Sequence, residues 1–208
     1  MPSEAEEQRR LTPGAVTVLT AGVAPALGGL LALAAALGIG RFVYTPILPA
    51  MTEALGLSKT EAGLVASANF LGYLVGALLA AAPRLPGDRR AWFLGALAAS
   101  TATTTLMGWA EGTVAFLLLR FAGGAASAFV LVLGSALVLD RLTQAGLDRW
   151  GALHFAGVGF GIAASAVLVD ALQAAGAGWR ALWLAAGAAA AAAVPLAAWL
   201  VPADASAP

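Results

Sequence analysis

No cysteine occurs in the 208 residues, which excludes disulfides and thiolate metal sites and leaves the redox compartment open. Charge is scarce too. Only 11% of the residues are charged, against about 25% in a soluble domain. Eleven basic side chains balance eleven acidic ones, so no excess of positive charge recommends a nucleic acid as partner. The N-terminal "MPSEAEEQRR" is acidic before it is basic and lacks the positive start of a secretory signal. No cofactor or metal site is expected. What remains is apolar: 61% of the chain is hydrophobic and the mean hydropathy is +0.87. Too little polar side chain exists to cover a water-facing surface, so lipid must be the solvent for much of the molecule.

A membrane-crossing helix needs roughly 20 largely apolar residues. Six segments meet that length, about 24–48, 61–82, 91–110, 113–139, 151–173 and 179–201. The runs are too long, and too rich in Ala and Leu, for strands. The expected fold is therefore all-α and polytopic, with six transmembrane helices. Residues 1–23 form a cytoplasmic N-terminal tail and lead-in, 24–201 the membrane domain, and 202–208 a short cytoplasmic tail or truncated linker. Basic residues set the orientation. Arg9, Arg10, Arg84, Arg89, Arg90, Arg141 and Arg149 fall on one side, and Lys59 and Arg180 on the other. That bias places both termini in the cytoplasm and the chain in the inner (plasma) membrane.

Two arginines remain inside the membrane. Arg41 ends the charge-free run "GVAPALGGLLALAAALGIG" and lies about 10 Å below the outer boundary on the first span. Arg120 lies about 10 Å below it on the fourth, and Asn69 about 12 Å on the second, with Tyr73 one turn deeper. Three helices thus carry their strongest polar groups at one depth. Arg41 and Tyr44 share one helical stripe, Asn69 and Tyr73 a second, and Arg120, Gly124 and Ser127 a third, each flanked by small residues. Snorkelling of the arginines to headgroups is the competing reading. No carboxylate is embedded in the layer, which points to an anionic ligand or to an acid from another chain or half. An Arg41–Glu61 salt bridge would undercut that reading. Arg41 and Arg120 are read as anion contacts, with Tyr44, Asn69 and Tyr73 as orienting groups.

His154 begins the fifth span on a stripe with Gly157, Gly161 and Ser165, either as a hydrogen-bonded cap or as a proton relay. Asp170 lies sixteen residues on, about 160° around the helix, so the two cannot form one relay. His154, Asp170 and Asp88 are the candidates for proton or gating roles. Ser135 with His154 offers an enzymatic alternative, an intramembrane serine hydrolase, although "VLGSALV" has no evident oxyanion arrangement.

"RFAGGAASA" (120–128) resembles the helix-4 motif of the major facilitator superfamily, an arginine followed three to four residues later by glycine. "GDRR" (87–90) resembles in part the loop after the second helix, without the spaced glycine that usually follows the Asp-Arg pair. "GIGRFVYTPILPAM", "LVASANFLGYLVGAL" and "HFAGVGFGIA" resemble the YbfB/YjiJ-type branch from about residue 24 onward. The resemblance implies a secondary transporter fold in which spans 1, 2, 4 and 5 line the path, and no firmly assigned substrate. Such transporters carry two six-helix halves around a midplane site, and six spans are one half. The chain is expected to form a homodimer, to meet a separate second half, or to be a truncated product, the last preferred. The function expected is alternating-access transport of a small, anionic solute, not enzymatic catalysis. A non-transporting membrane partner or an inactive fragment is the alternative.

Overall fold

The computed structural model describes residues 22–82 and 85–201, and within them every regular element is helical. The segments 1–21 and 202–208 and Arg84, which hold most of the expected tails and part of the charge bias, lie outside the described residues. Helix α1 (Ala24–Leu33) runs into a π-helical segment, Ala34–Ile39, and after a turn the chain resumes as α2 (Tyr44–Leu55). Together they make one broken helix of 32 residues. There follow α3 (Lys59–Ala80), α4 (Arg89–Leu106), α5 (Gly112–Gln144), a 3₁₀ turn (Asp148–Trp150), α6 (Gly151–Ala174) and α7 (Trp179–Leu200).

Local chemistry explains where these helices start and stop. Ser58 caps α3 in a capping box with Glu61, so the helix begins two residues before the apolar run does. The Asp88 carboxylate accepts from the backbone N–H groups of Arg90 (3.1 Å) and Ala91 (3.0 Å) and caps α4. The first span runs on to Leu55, beyond the expected end near Leu48. Pro46 falls in the first turn of the resumed helix, where a missing N–H is tolerated, and Gly56 with φ of 66° ends α2.

Among the described residues, five helical stretches are long and apolar enough to cross a membrane: Ala24–Leu55, Lys59–Ala80, Gly112–Gln144, Asp148–Ala174 and Trp179–Leu200. α4 is the exception. It has 18 residues, begins with two arginines and carries Ser100, Thr101, Thr103, Thr104 and Thr105. Composition therefore supports five crossings directly, where the sequence reading expects six.

The broken helix is the centre of the bundle. Its most apolar stretch is 72% buried, whereas that of α3 is 22% buried and leaves most of its surface outward. Glycine makes the close approaches. A Cβ on Gly157 would run into the Leu30 carbonyl of α1, and one on Gly161 into Ala34. Across the bundle, Gly72 lies against the Phe121 carbonyl, Gly76 against Ala125, and Gly124 against the Asn69 carbonyl. In lipid there is no water to expel between helices, so this backbone contact is a main source of attraction. It brings α3 and α5 together at the level of Asn69 and Arg120. At one end of the bundle, Arg90 donates to the carbonyls of Val201 (2.9 Å) and Ala198 (2.5 Å), fastening the start of α4 to the last turn of α7.

Two glycines of α3 test this packing. Gly72→Ala forces a methyl group into the Phe121 carbonyl and is expected to cost about 1–3 kcal/mol. Gly63 has nothing within 4 Å of where its Cβ would stand, so Gly63→Ala is expected to be neutral or to stabilise by up to about 1 kcal/mol. Thermal unfolding in detergent compares them, and equal melting temperatures would contradict the packing described.

Candidate functional site

The site begins with a missing donor. In an unbroken helix the N–H of residue 46 would bond the Phe42 carbonyl, but Pro46 has none. Thr45 N–H takes that acceptor instead, at 3.2 Å. The Arg41 carbonyl, which Thr45 would otherwise have satisfied, is released. Upstream, the π-helical shift sends both Arg41 N–H and Phe42 N–H to Leu37, each at 3.2 Å. At the break, the Arg120 guanidinium of α5 reaches across and donates from Nη1 to Gly40 O (2.9 Å) and from Nη2 to Arg41 O (2.8 Å). A planar fork suits two adjacent carbonyls in a way that a lysine ammonium does not.

Arg120 is itself held. It is 4% exposed. Its own backbone carbonyl accepts from Asn69 Nδ2 at 2.9 Å, and its guanidinium lies near the rings of Tyr44 (5.1 Å) and Trp183 (5.9 Å). Tyr44 donates its hydroxyl hydrogen to the Ala62 carbonyl of α3 at 3.0 Å. Trp183 is fully buried, and its Nε1 points at Met51 Sδ (3.2 Å). α2, α3, α5 and α7 are thus joined around one cation.

Arg41 is in a different state. Its guanidinium stands 3.9 Å from the Tyr73 ring centre, 4.7 Å from that of Phe70 and 5.5 Å from that of Phe42. Its Nε is buried without a hydrogen-bond partner, as is the Nε of Arg120. Neither arginine has a carboxylate at ion-pair distance among the described residues. Glu61 is not its partner. That carboxylate accepts from Ser58 N (2.9 Å) and Ser58 Oγ (2.8 Å), and from Thr113 Oγ1 (3.3 Å). Between the two arginines lies a cavity of about 60 Å³, lined by Arg41, Phe42, Tyr44, Thr45, Ala66, Asn69, Phe70 and Arg120.

Four of the five residues read as site residues, Arg41, Tyr44, Asn69 and Arg120, line this cavity, and the Tyr73 ring lies against Arg41. Phe42, Phe70 and Trp183 were not legible as site residues. Phe70 and Tyr73 stand one turn apart on α3, a spacing that could have announced a shared face. The remaining candidates lie elsewhere. Asp88 caps α4, and Asp170 is exposed on α6. His154 is fully buried, its Nε2 3.0 Å from Ser135 Oγ and its Nδ1 against Gly29 without a partner. Ser135 and His154 therefore do meet. A nucleophile–base pair, however, is oriented by a third group, and at Nδ1 His154 faces the backbone of Gly29, with no carboxylate there among the described residues.

The coupling between the break and Arg120 can be measured. Arg120→Met leaves two buried carbonyls without donors and is expected to cost about 2–4 kcal/mol of stability. Pro46→Ala restores an N–H and lets Thr45 return to Arg41 O. In the Arg120→Met background it is expected to recover about 1 kcal/mol. Strictly additive effects in the double-mutant cycle would contradict the proposed origin of the break.

Residues 33–208 match a protein family described as "Uncharacterised MFS-type transporter YbfB". A stretch of 94 residues is 33% identical to a protein of Bacillus subtilis (strain 168) described as an uncharacterized MFS-type transporter, YceJ. That alignment covers 45% of this chain and 24% of the relative, so the chain spans well under two thirds of the relative's length.

Proposed function

The chain belongs to the YbfB-type family of MFS transporters, and from that premise we propose that it moves a small anionic solute by alternating access. The observation that carries this reading is Arg41. A full positive charge at membrane depth is costly unless something answers it, and no acid among the described residues does. Arg120 lines the same cavity with its two Nη atoms directed to backbone oxygens. We assign it the work of shaping and electrostatically lining the site, and Arg41 the direct contact with the anion. Asn69 and Tyr44 orient these groups, and Tyr73 backs Arg41.

In this reading α4 is the sixth crossing. Its two N-terminal arginines sit at the cytoplasmic boundary, and the hydroxyls of Thr103, Thr104 and Thr105 turn back onto carbonyls of their own helix. The six helices act as one half, and a second half closes the path. Both termini face the cytoplasm, and the protein resides in the inner membrane. His154, buried beside α1, is assigned to helix closure or proton coupling and not to hydrolysis. Asp88 holds the loop before α4 in place and so belongs with gating, whereas Asp170 has no contact that selects a role.

Membrane vesicles carrying the full chain, given a mixed pool of small organic and inorganic anions and read by mass spectrometry, provide the test. At least one anion is expected to accumulate with the natural chain and to fall to background with Arg41→Gln, while membrane insertion is retained. Identical uptake of every anion by the two would contradict the assignment.

A further inference from the structure

Three features of the cavity specify more than negative charge, given the anion-contact reading on which this inference rests. The first is size. A cavity of about 60 Å³ has room for a handful of waters, enough for the head of a solute and not for its body. The second is the count of available donors. Arg120 directs both Nη atoms to the carbonyl oxygens of Gly40 and Arg41, which leaves Arg41 as the cation able to form a two-pronged contact. A second carboxylate would meet the charge of Arg120 but no free guanidinium fork to bind it. The third is the wall. Phe42, Phe70 and Tyr73 surround the Arg41 guanidinium, and Phe70 remains 58% exposed, facing away from the bundle core. Rings around a guanidinium do not accept its hydrogen bonds in full, and Arg41 Nε is buried without a partner, so a planar acceptor such as a carboxylate suits it. The rings also give whatever is attached to that carboxylate an aromatic surface to lie on.

We propose that the solute is a monocarboxylate with a flat apolar body, its carboxylate seated between Arg41 and Asn69 and its body packed on Phe70 and Tyr73. Fully hydrated anions fit poorly. Phosphate or a short aliphatic dicarboxylate asks for more hydrogen-bond donors than Arg41 leaves free and offers the aromatic wall nothing to cover.

The full chain in lipid nanodiscs, titrated by intrinsic tryptophan fluorescence, tests the proposal with Trp183 as a reporter near Arg120 and Tyr44. The probes are benzoate, its neutral isostere benzamide, succinate and inorganic phosphate. Benzoate is expected to saturate, with benzamide, succinate and phosphate each at least about tenfold weaker. Arg41→Gln should abolish the benzoate response. Phe70→Ala, at an exposed position that the fold does not need, should weaken it by about tenfold. Arg41-dependent binding of succinate or phosphate as tight as that of benzoate would overturn the monocarboxylate inference and leave the anion reading standing. No Arg41-dependent binding of any anion would overturn both. An unaltered benzoate affinity in Phe70→Ala would remove the aromatic wall from the proposal and overturn the assignment of body to ring.

Discussion

The arrangement rests on a fork of two hydrogen bonds from Arg120 to the carbonyls of Gly40 and Arg41. Each partner would be unstable alone. A helix broken at membrane depth exposes carbonyls that no water can satisfy, and a buried guanidinium without acceptors carries a desolvation cost of several kcal/mol. Brought together they form two charge-assisted bonds, each contributing about 1.5–3 kcal/mol. The break and the arginine are thus one device shared between α5 and the first span. Pro46 creates the vacancy on the carbonyl side, and the close glycine contacts between α3 and α5 bring Arg120 within reach of it.

The same device separates the two arginines. In composition and depth they are equivalent, yet one is enclosed by backbone oxygens and the other by aromatic rings. The break matters for the second as well as the first, because the turn after the π-helical segment sets the direction in which Arg41 leaves the backbone. Anchoring the turn from α5 therefore aims Arg41 at the cavity. Asn69, bonded to the Arg120 carbonyl, links α3 to the same point, so the side walls and the cation are positioned by one connected set of bonds.

Much of this was legible in the sequence, because lipid imposes simple rules. Long apolar runs had to be helices, and depth along each helix placed Arg41, Asn69 and Arg120 in one layer before any contact was known. The family, too, could be read from "GIGRFVYTPILPAM" and "RFAGGAASA". What escaped was anything that depends on which acceptor a donor chooses. The first span was expected to end near residue 48, whereas the helix runs on through Pro49 to Leu55. α4 looked like any other crossing, but its hydroxyl-rich second half makes it markedly less apolar than its neighbours. The distinct environments of Arg41 and Arg120 could not be read from spacing, since both satisfy the same periodicity. The Ser135–His154 contact was conceivable from helix ends, yet only the position of Gly29 shows that the imidazole lacks an orienting acid.

The central claim is that Arg120 holds the broken first helix through Gly40 and Arg41. Solid-state NMR in lipid measures this directly, with ¹⁵N in the arginine guanidinium groups and ¹³C in the glycine carbonyls. An Arg180→Gln background removes a second contact of an arginine with a glycine carbonyl, that of Gly108. A strong dipolar coupling between one guanidinium and one glycine carbonyl is predicted, and it should vanish in Arg120→Lys. If no such coupling is present before that substitution, the fork is absent and the account of the site built on it is wrong.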